Sequence, residues 1–360
     1  MSTLLSRLTN ANIAKLKPYE SARRLYSGGQ DWLNANESPY SNPYQLDDTK
    51  LNRYPSCQPS AVVQQYANYA GLAPEQVLVT RGADEGIELL IRAFCQPGQS
   101  NIMICPPTYG MYAISAETCD VGVISVPQTD TFELDIDAML AQRDKVNLVF
   151  ICSPNNPTGN VVAQAQIETI LTAFADSALV VVDEAYIEFA IGQQWASRLA
   201  DYPHLVVLRT LSKAFALAGL RCGFTLASEA IIQTLLKVIA PYPIPEPVAQ
   251  IAAQALADGP VNRMREQVAI IADERLRLTR ALMKYSAIEL VGAQEANFIL
   301  FRCPQKDGLM TYLVENGMLI RDQSKQLKLN DCLRISIGTP AQNDRLLDLI
   351  NTFFSAEEQR

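Results

Sequence analysis

This chain of 360 residues has a single histidine, His204, and that scarcity argues against whole classes of chemistry. A Ser-His-Asp mechanism would have to use His204, which follows Tyr202-Pro203 at the mouth of a strand and reads as a solvent-facing or packing residue. A zinc site is disfavoured too, because the usual ligand spacings are missing and no two cysteines are separated by only two residues. The chain also lacks a basic run or a basic-aromatic stripe, and its 30 basic against 38 acidic side chains leave a net charge of −8. That balance speaks against nucleic acid as a partner. There is no G-x-G-x-x-G and no Walker motif, so the dinucleotide and nucleoside-triphosphate fingerprints are absent. No apolar run approaches membrane-spanning length, and Leu4 to Lys17 mixes apolar and polar residues at helical spacing without an apolar signal core. The eight cysteines (57, 95, 105, 119, 152, 222, 303 and 332) are scattered, mostly among apolar neighbours, and read as reduced core thiols. The expectation is a cytoplasmic protein with no membrane, metal or nucleic-acid partner.

What is present is enough apolar material, 48% of residues, for a large core and more than one domain. Residues 1–45 read as an N-terminal arm and a segment of a small domain. A large domain is expected over 46–260, and a smaller α+β domain over 261–360. From about residue 61 strands and helices alternate. Strands are expected at 77–80, 101–105, 121–126, 146–152, 179–183, 205–208 and 223–227, with helices near 62–69, 86–94, 109–118, 134–142 and 164–175. Continuous apolar strand cores in such an alternation mean an open, mainly parallel sheet covered by helices on both faces. Ligands bind beyond the carboxyl ends of such strands, so residues just after strands carry the most functional weight. Beyond the proline-rich stretch Pro241 to Pro247 the pattern predicts helices at 248–256 and 261–284. Short strands at 288–291, 297–301, 319–321 and 333–337 and helices at 306–315 and 341–354 complete it.

Four strand ends carry polar residues. Thr80-Arg81-Gly82-Ala83-Asp84-Glu85-Gly86 leads into a helix, where small residues let backbone N–H groups approach a phosphate; a plain capped helix is the simpler reading of that stretch alone. Ser153-Pro154-Asn155-Asn156-Pro157-Thr158-Gly159 is a rigid turn that can offer an amide. Asp183-Glu184-Ala185-Tyr186 ends a fully apolar strand. A carboxylate there needs a partner, either a protonated ring nitrogen or a structural arginine. Ser212-Lys213-Ala214-Phe215 and Arg221 form the fourth end. A lysine beside an apolar run can lose hydration and become a nucleophile toward aldehydes, although it can equally snorkel over its neighbours.

Taken together, RGADEG, SPNNPTG, VVDEAY and TLSKAFALAGLRCG, in this order, resemble the fold-type I enzymes that use pyridoxal 5′-phosphate. KPYESARR, WLNANE, LNRYP, PPTYGMY, DEAYIEF, APYP, LIRDQ and LRISIGT resemble more closely the histidinol-phosphate aminotransferase family. The resemblance implies a seven-stranded, mainly parallel sheet domain with a smaller α+β domain. It implies Lys213 as the residue that joins the cofactor aldehyde, and Asp183 as the partner of the pyridine nitrogen. Tyr186 and Asn156 would donate to the ring's 3′ oxygen, and Tyr109 would stack on the ring. Ser212, Arg221 and the backbone of Ala83 and Asp84 would hold the phosphate, with Tyr54 reaching it from the neighbouring subunit of a homodimer. Asn36, Arg321 and Arg334 would bind substrate, together with Tyr19 from the neighbouring subunit. The implied substrates are histidinol phosphate and glutamate or 2-oxoglutarate, in histidine biosynthesis. Three alternatives stay open at this point: a threonine-phosphate decarboxylase-like lyase, an aromatic amino-acid aminotransferase, and a non-catalytic protein on the same fold.

Overall fold

The computed structural model describes residues 3–18, 28–190 and 194–358. In chain order the first half runs α1 (Thr3–Leu8), β1 (Asp31–Trp32), α2 (Ser60–Ala70), β2 (Val77–Thr80), α3 (Ala83–Phe94), β3 (Asn101–Ile104), α4 (Met111–Thr118), β4 (Gly122–Ser125), α5 (Ile136–Leu140), β5 (Leu148–Cys152), α6 (Gln164–Ala173) and β6 (Leu179–Asp183). The second half runs β7 (Leu205–Thr210), β8 (Gly223–Ala227), α7 (Glu229–Leu235), α8 (Glu246–Ala255), α9 (Asp258–Leu282), β9 (Glu289–Leu290), β10 (Phe298–Arg302), α10 (Lys306–Glu315), β11 (Met318–Leu319), β12 (Arg321–Asp322), β13 (Cys332–Ser336) and α11 (Pro340–Glu358).

Seven strands form one sheet in the order β2-β8-β7-β6-β5-β3-β4. Only β8 is antiparallel to its neighbours, so the other six strands point the same way. Strands β5 and β7 are buried along their whole length, and β6 is buried from Val180 onward. A strand covered on both faces needs no polar alternation, which explains the continuous Val-Ile-Leu runs. Two apolar clusters line the two faces. One includes Val149, Val182, Val207 and Phe224; the other includes Leu148, Phe150, Val181 and Leu208. The alternation along β5 and β6 sends successive side chains to opposite layers.

A second, four-stranded antiparallel sheet has the order β12-β13-β10-β9. Strand β1 pairs in parallel with β11 (Asp31 opposite Met318, Trp32 opposite Leu319), so the segment before residue 40 is tied to the C-terminal part of the chain. Helix α9 carries Val261, Met264, Val268, Ile271, Leu278 and Leu282 on one buried stripe at steps of three, four or seven. Its 25 residues begin at Asp258, three before the expected start. Helix α3 likewise starts three residues early, at Ala83, because Gly82 adopts φ +77° and can turn the strand directly into the helix. The expected N-terminal helix is shorter than its spacing suggests. It stops at Leu8, and only a single 3₁₀ turn follows, at Ile13–Lys15. Asn10 and Asn12 fall between them, and asparagine favours turns over helix interiors. The single strand expected at 319–321 is two short ones, β11 and β12, which serve different sheets.

Candidate active site

Parallel strands deliver their carboxyl ends to one edge of the sheet, and four of them set the site. Register places Cys152 beside Asp183 and Asp183 beside Leu208, two residues before Thr210, while Thr210, Gly223 and Thr80 align across β7, β8 and β2. The loops that leave these ends converge on a cavity of about 580 Å³. Its walls include Ala83, Asp84, Tyr109, Asn156, Asp183, Tyr186, Ser212, Lys213 and Arg221, and also Asn36, Arg321 and Arg334. These twelve residues, scattered over three hundred positions in the chain, are the expected site residues that lie within the described part, apart from Tyr54.

Lys213 is part-buried and its Nζ donates to the carbonyl of Ala35 at 3.1 Å. Burial and the nearby Arg334 guanidinium bring its pKa down to about 8, against the pull of Glu37 and Asp84. Asp183 is buried; its Oδ2 accepts from the Tyr112 hydroxyl at 2.6 Å and its Oδ1 from the Ala185 N–H at 3.1 Å. Burial pushes its carboxyl up to about 6, and those two donors limit the rise. The Tyr186 hydroxyl accepts from Asn36 Nδ2 at 3.0 Å, which leaves its own proton available to the cavity. Asn36 is itself fixed: its N–H donates to Ser336 Oγ at 2.8 Å, and its carbonyl accepts from Asn297 Nδ2 at 3.0 Å.

At the opposite wall Arg221 sits in the left-handed region, φ 57°, and reaches Ser212 Oγ at 3.4 Å, the Ala218 carbonyl at 3.1 Å and Asp84 Oδ2 at 3.3 Å. Tyr109 donates to the other oxygen of Asp84 at 2.9 Å. Arg334 spans the two sheets: Nη1 donates to Asn156 Oδ1 at 2.5 Å and Nη2 to the Asn34 carbonyl at 3.1 Å. Lys213, Arg221, Arg321 and Arg334 outnumber Glu37, Asp84 and Asp183 around the cavity, so a chain of net charge −8 presents a locally cationic pocket.

The sequence profile described as "Aminotransferase class I and II" matches residues 26–350. A curated histidinol-phosphate aminotransferase of Pseudoalteromonas atlantica is 60% identical over 99% of this chain and 97% of its own length. One from Escherichia coli O9:H4 is 53% identical over 97% and 99%. This chain belongs to the class I and II aminotransferases. Among solved structures, the histidinol-phosphate aminotransferase of Sinorhizobium meliloti, in complex with pyridoxal 5′-phosphate, shares the fold. Its TM-score is 0.83 at 22% identity, covering 97% of this chain and 98% of that one.

The aminotransferase's cavity fits pyridoxal phosphate, the cofactor of the family. The strongest local sign is the close approach of Arg221 and β8 to the start of α3, where a phosphate would bind. A Cβ on Gly82 would meet Arg221 Nη2 at 2.6 Å, and one on Gly223 would meet the Gly82 carbonyl carbon at 2.4 Å. Only glycines let β2, β8 and Arg221 close this tightly around the first N–H groups of α3. An amine, a buried carboxylate and donors from Ser212 and Arg221 complete a set suited to an aldehyde, a ring nitrogen and a phosphate.

Sequence reasoning missed several participants. Tyr112 behind Asp183 and Glu37 and Gln323 in the wall fall inside the stretches PPTYGMY, WLNANE and LIRDQ but were given no role there, and Gln326 lies outside every quoted stretch. The arginine weighed as a structural partner for Asp183 does exist, but it serves the next residue. Arg209 holds Glu184 through Nε at 2.8 Å and Nη2 at 2.7 Å, both side chains being almost fully buried. One expected residue of the described part is not brought into the cavity wall. Tyr54 is 81% exposed and stacks on Tyr242 with ring centroids 4.5 Å apart. Tyr19 lies outside the described residues. His204 contacts the Leu171 carbonyl at 2.9 Å, away from the cavity. Among the described residues no helix is long and apolar enough to cross a membrane, and no group of three or more His, Cys, Asp or Glu is placed to hold a metal ion.

Proposed function

We propose that this aminotransferase moves the amino group of L-histidinol phosphate to 2-oxoglutarate, giving 3-(imidazol-4-yl)-2-oxopropyl phosphate and L-glutamate, in histidine biosynthesis. The observation that carries the reading is the 60% identity, over nearly the whole of both chains, to a protein named for that activity. When bound, pyridoxal phosphate supplies an electron-poor ring that stabilises negative charge at the substrate α-carbon. Lys213 Nζ anchors the cofactor's aldehyde. The same nitrogen, as a free amine, would move the proton at the substrate α-carbon. Its lowered pKa suits both tasks, because the neutral amine is the nucleophile and the base.

Asp183 would hold the ring nitrogen in its protonated form, and Tyr186 and Asn156 would donate to the ring's 3′ oxygen. Tyr109 covers the ring face. Ser212, Arg221 and the backbone N–H groups of Ala83 and Asp84 hold the phosphate. Asn36, Arg321 and Arg334 receive the substrate. Arg334 takes the phosphate of one substrate and a carboxylate of the other, which a planar guanidinium fork can do.

The reading includes a cytoplasmic homodimer in which Tyr54 completes the phosphate site of the neighbouring subunit and Tyr19 its substrate site. Support comes from Tyr54, Leu46 and Leu51, all strongly exposed on the single chain. It also divides the chain into an arm with a small-domain segment (1–45), a large cofactor domain (46–260) and a small domain (261–360). In favour stand the confinement of the seven-stranded sheet to 77–227 and of the four-stranded one to 289–336. The test is an amino-transfer assay in which histidinol phosphate and phenylalanine compete as donors. Glutamate should form from 2-oxoglutarate only when a donor is present, and far faster with histidinol phosphate. Equal rates, or carbon dioxide in place of glutamate, would overturn the reading.

A further inference from the structure

We infer that Tyr112 is a positioning residue for this reaction, its phenol holding the Asp183 carboxylate ionised and aimed at the cavity. The inference rests on the proposed function and deepens it. Tyr112 is fully buried, lies in the first turn of α4 three residues after Tyr109, and takes no part in the cavity wall. Its ring stacks on Phe150 of β5, with centroids 4.9 Å apart and planes 15° from parallel, while the Tyr109 ring lies nearly perpendicular to it at 5.6 Å. That packing fixes the hydroxyl 2.6 Å from Asp183 Oδ2. The Ala185 N–H takes Oδ1, so each carboxylate oxygen is held from behind and the group cannot turn away from the pocket.

The cations Lys213, Arg221, Arg321 and Arg334 share the cavity wall with Asp183, but Lys213 is bonded to the Ala35 carbonyl and Arg221 to Ser212, Ala218 and Asp84. The titratable groups packed against the carboxylate itself do not stabilise its charge. Asp84 at the start of α3 and Glu184 beside it repel a carboxylate, and Cys152 on β5 and Tyr186 are not cations. Tyr112 is therefore the side chain in this set that favours the ionised form. The consequence for a ring nitrogen facing Asp183 follows from one proton shared between two bases. A carboxylic acid beside a neutral pyridine interconverts with a carboxylate beside a pyridinium. A donor to the carboxylate lowers its basicity and leaves the proton on the ring. Without the phenol the proton moves to the carboxyl oxygen, and the ring loses the charge that makes it accept electrons.

The experiment uses the holoenzyme loaded with pyridoxal phosphate labelled with ¹⁵N in the ring, whose chemical shift reads the protonation of that nitrogen directly. In the wild-type protein the ring should stay protonated through neutral pH. In Tyr112→Phe, which keeps the ring stacking and removes one oxygen, the midpoint should fall by about one pH unit. Turnover should drop roughly tenfold with KM within about twofold, the pattern of a group felt in the transition state. Combined with Asp183→Asn, the Phe substitution should add nothing to the nitrogen shift, since the phenol acts only through the carboxylate. Fluorotyrosine at position 112, a stronger donor of nearly the same size, should move the midpoint the opposite way, and it serves even where the Phe variant does not fold. An unmoved nitrogen shift in the folded Phe or fluorotyrosine protein, or an undiminished effect on the Asp183→Asn background, overturns the role of Tyr112. A wild-type protein that takes up no cofactor overturns the proposed function instead.

Discussion

A lysine ammonium owes its stability to water, and Lys213 has lost much of that water on the loop after β7. Its pKa of about 8 means that roughly a tenth of the amine is neutral at pH 7, where an exposed lysine would be almost wholly protonated. Capture of pyridoxal phosphate by cofactor-free protein should therefore speed up about tenfold per pH unit and level off near pH 8, a profile that stopped-flow absorbance can follow. The same shift acts on stability. Below about 8 both folded and unfolded chains hold the proton, and the folded one bears the burial penalty. Between about 8 and 10.5 only the unfolded chain keeps the extra proton, so this group makes stability rise with pH across that window. Lys213→Ala should abolish turnover and leave no yellow, borohydride-fixable cofactor on the protein. A coloured, active variant would remove Lys213 from its role.

Strands β6 and β7, which end in Asp183 and lead to Lys213, are held to one another by more than their backbone ladder. Glu184 and Arg209 form a two-pronged ion pair from β7 to the residue after β6, and the Trp195 N–H at 2.6 Å satisfies the second oxygen of Glu184. Buried charge of this kind is stable only as a pair. Arg209→Met should destabilise the fold by about 3–5 kcal/mol, read from denaturant unfolding, whereas replacing both partners by apolar residues should recover much of that loss. The turn from β2 into α3 is the other element under tight constraint. Gly223→Ala places a methyl carbon 2.5 Å from the Ala83 nitrogen, where only backbone could give way. Cofactor affinity measured by equilibrium dialysis should fall about tenfold or more, with the far-ultraviolet spectrum unchanged.

On the scale of the whole molecule, the cavity belongs to both sheets. Arg334 of β13 holds Asn156 and the Asn34 carbonyl, and Asn297 and Ser336 hold Asn36, so the turn after β5 and the segment around residues 34–36 are positioned by the C-terminal part of the chain. One expected contributor, Tyr54, faces outward on the single chain. If it completes a neighbour's site, two crippled variants should rescue each other. Mixing Lys213→Ala subunits with Tyr54→Ala subunits should create hybrid dimers with one intact site, restoring up to about a quarter of the wild-type sites at equal mixing. Activity no higher than the sum of the separate variants would place Tyr54 outside the reaction.

The sequence alone determined the alternation of apolar strands and helices, because a strand buried on both faces must be apolar throughout. It also determined which strand ends carry polar residues, since a Lys, an Asp or a Pro-Asn-Asn-Pro turn after such a run stands out against it. Motifs of that kind made Lys213, Asp183, Asn156 and Arg221 legible before any coordinates. Tertiary structure decided what has no local signature. Tyr112 looks like one more aromatic on a helix until strand register brings Asp183 against it, and Arg209 reads as an oddity inside a strand until Glu184 arrives from the next one. Partners that lie 25 or 71 positions apart leave no periodic trace in the chain, because their pairing depends on strand order, not on spacing.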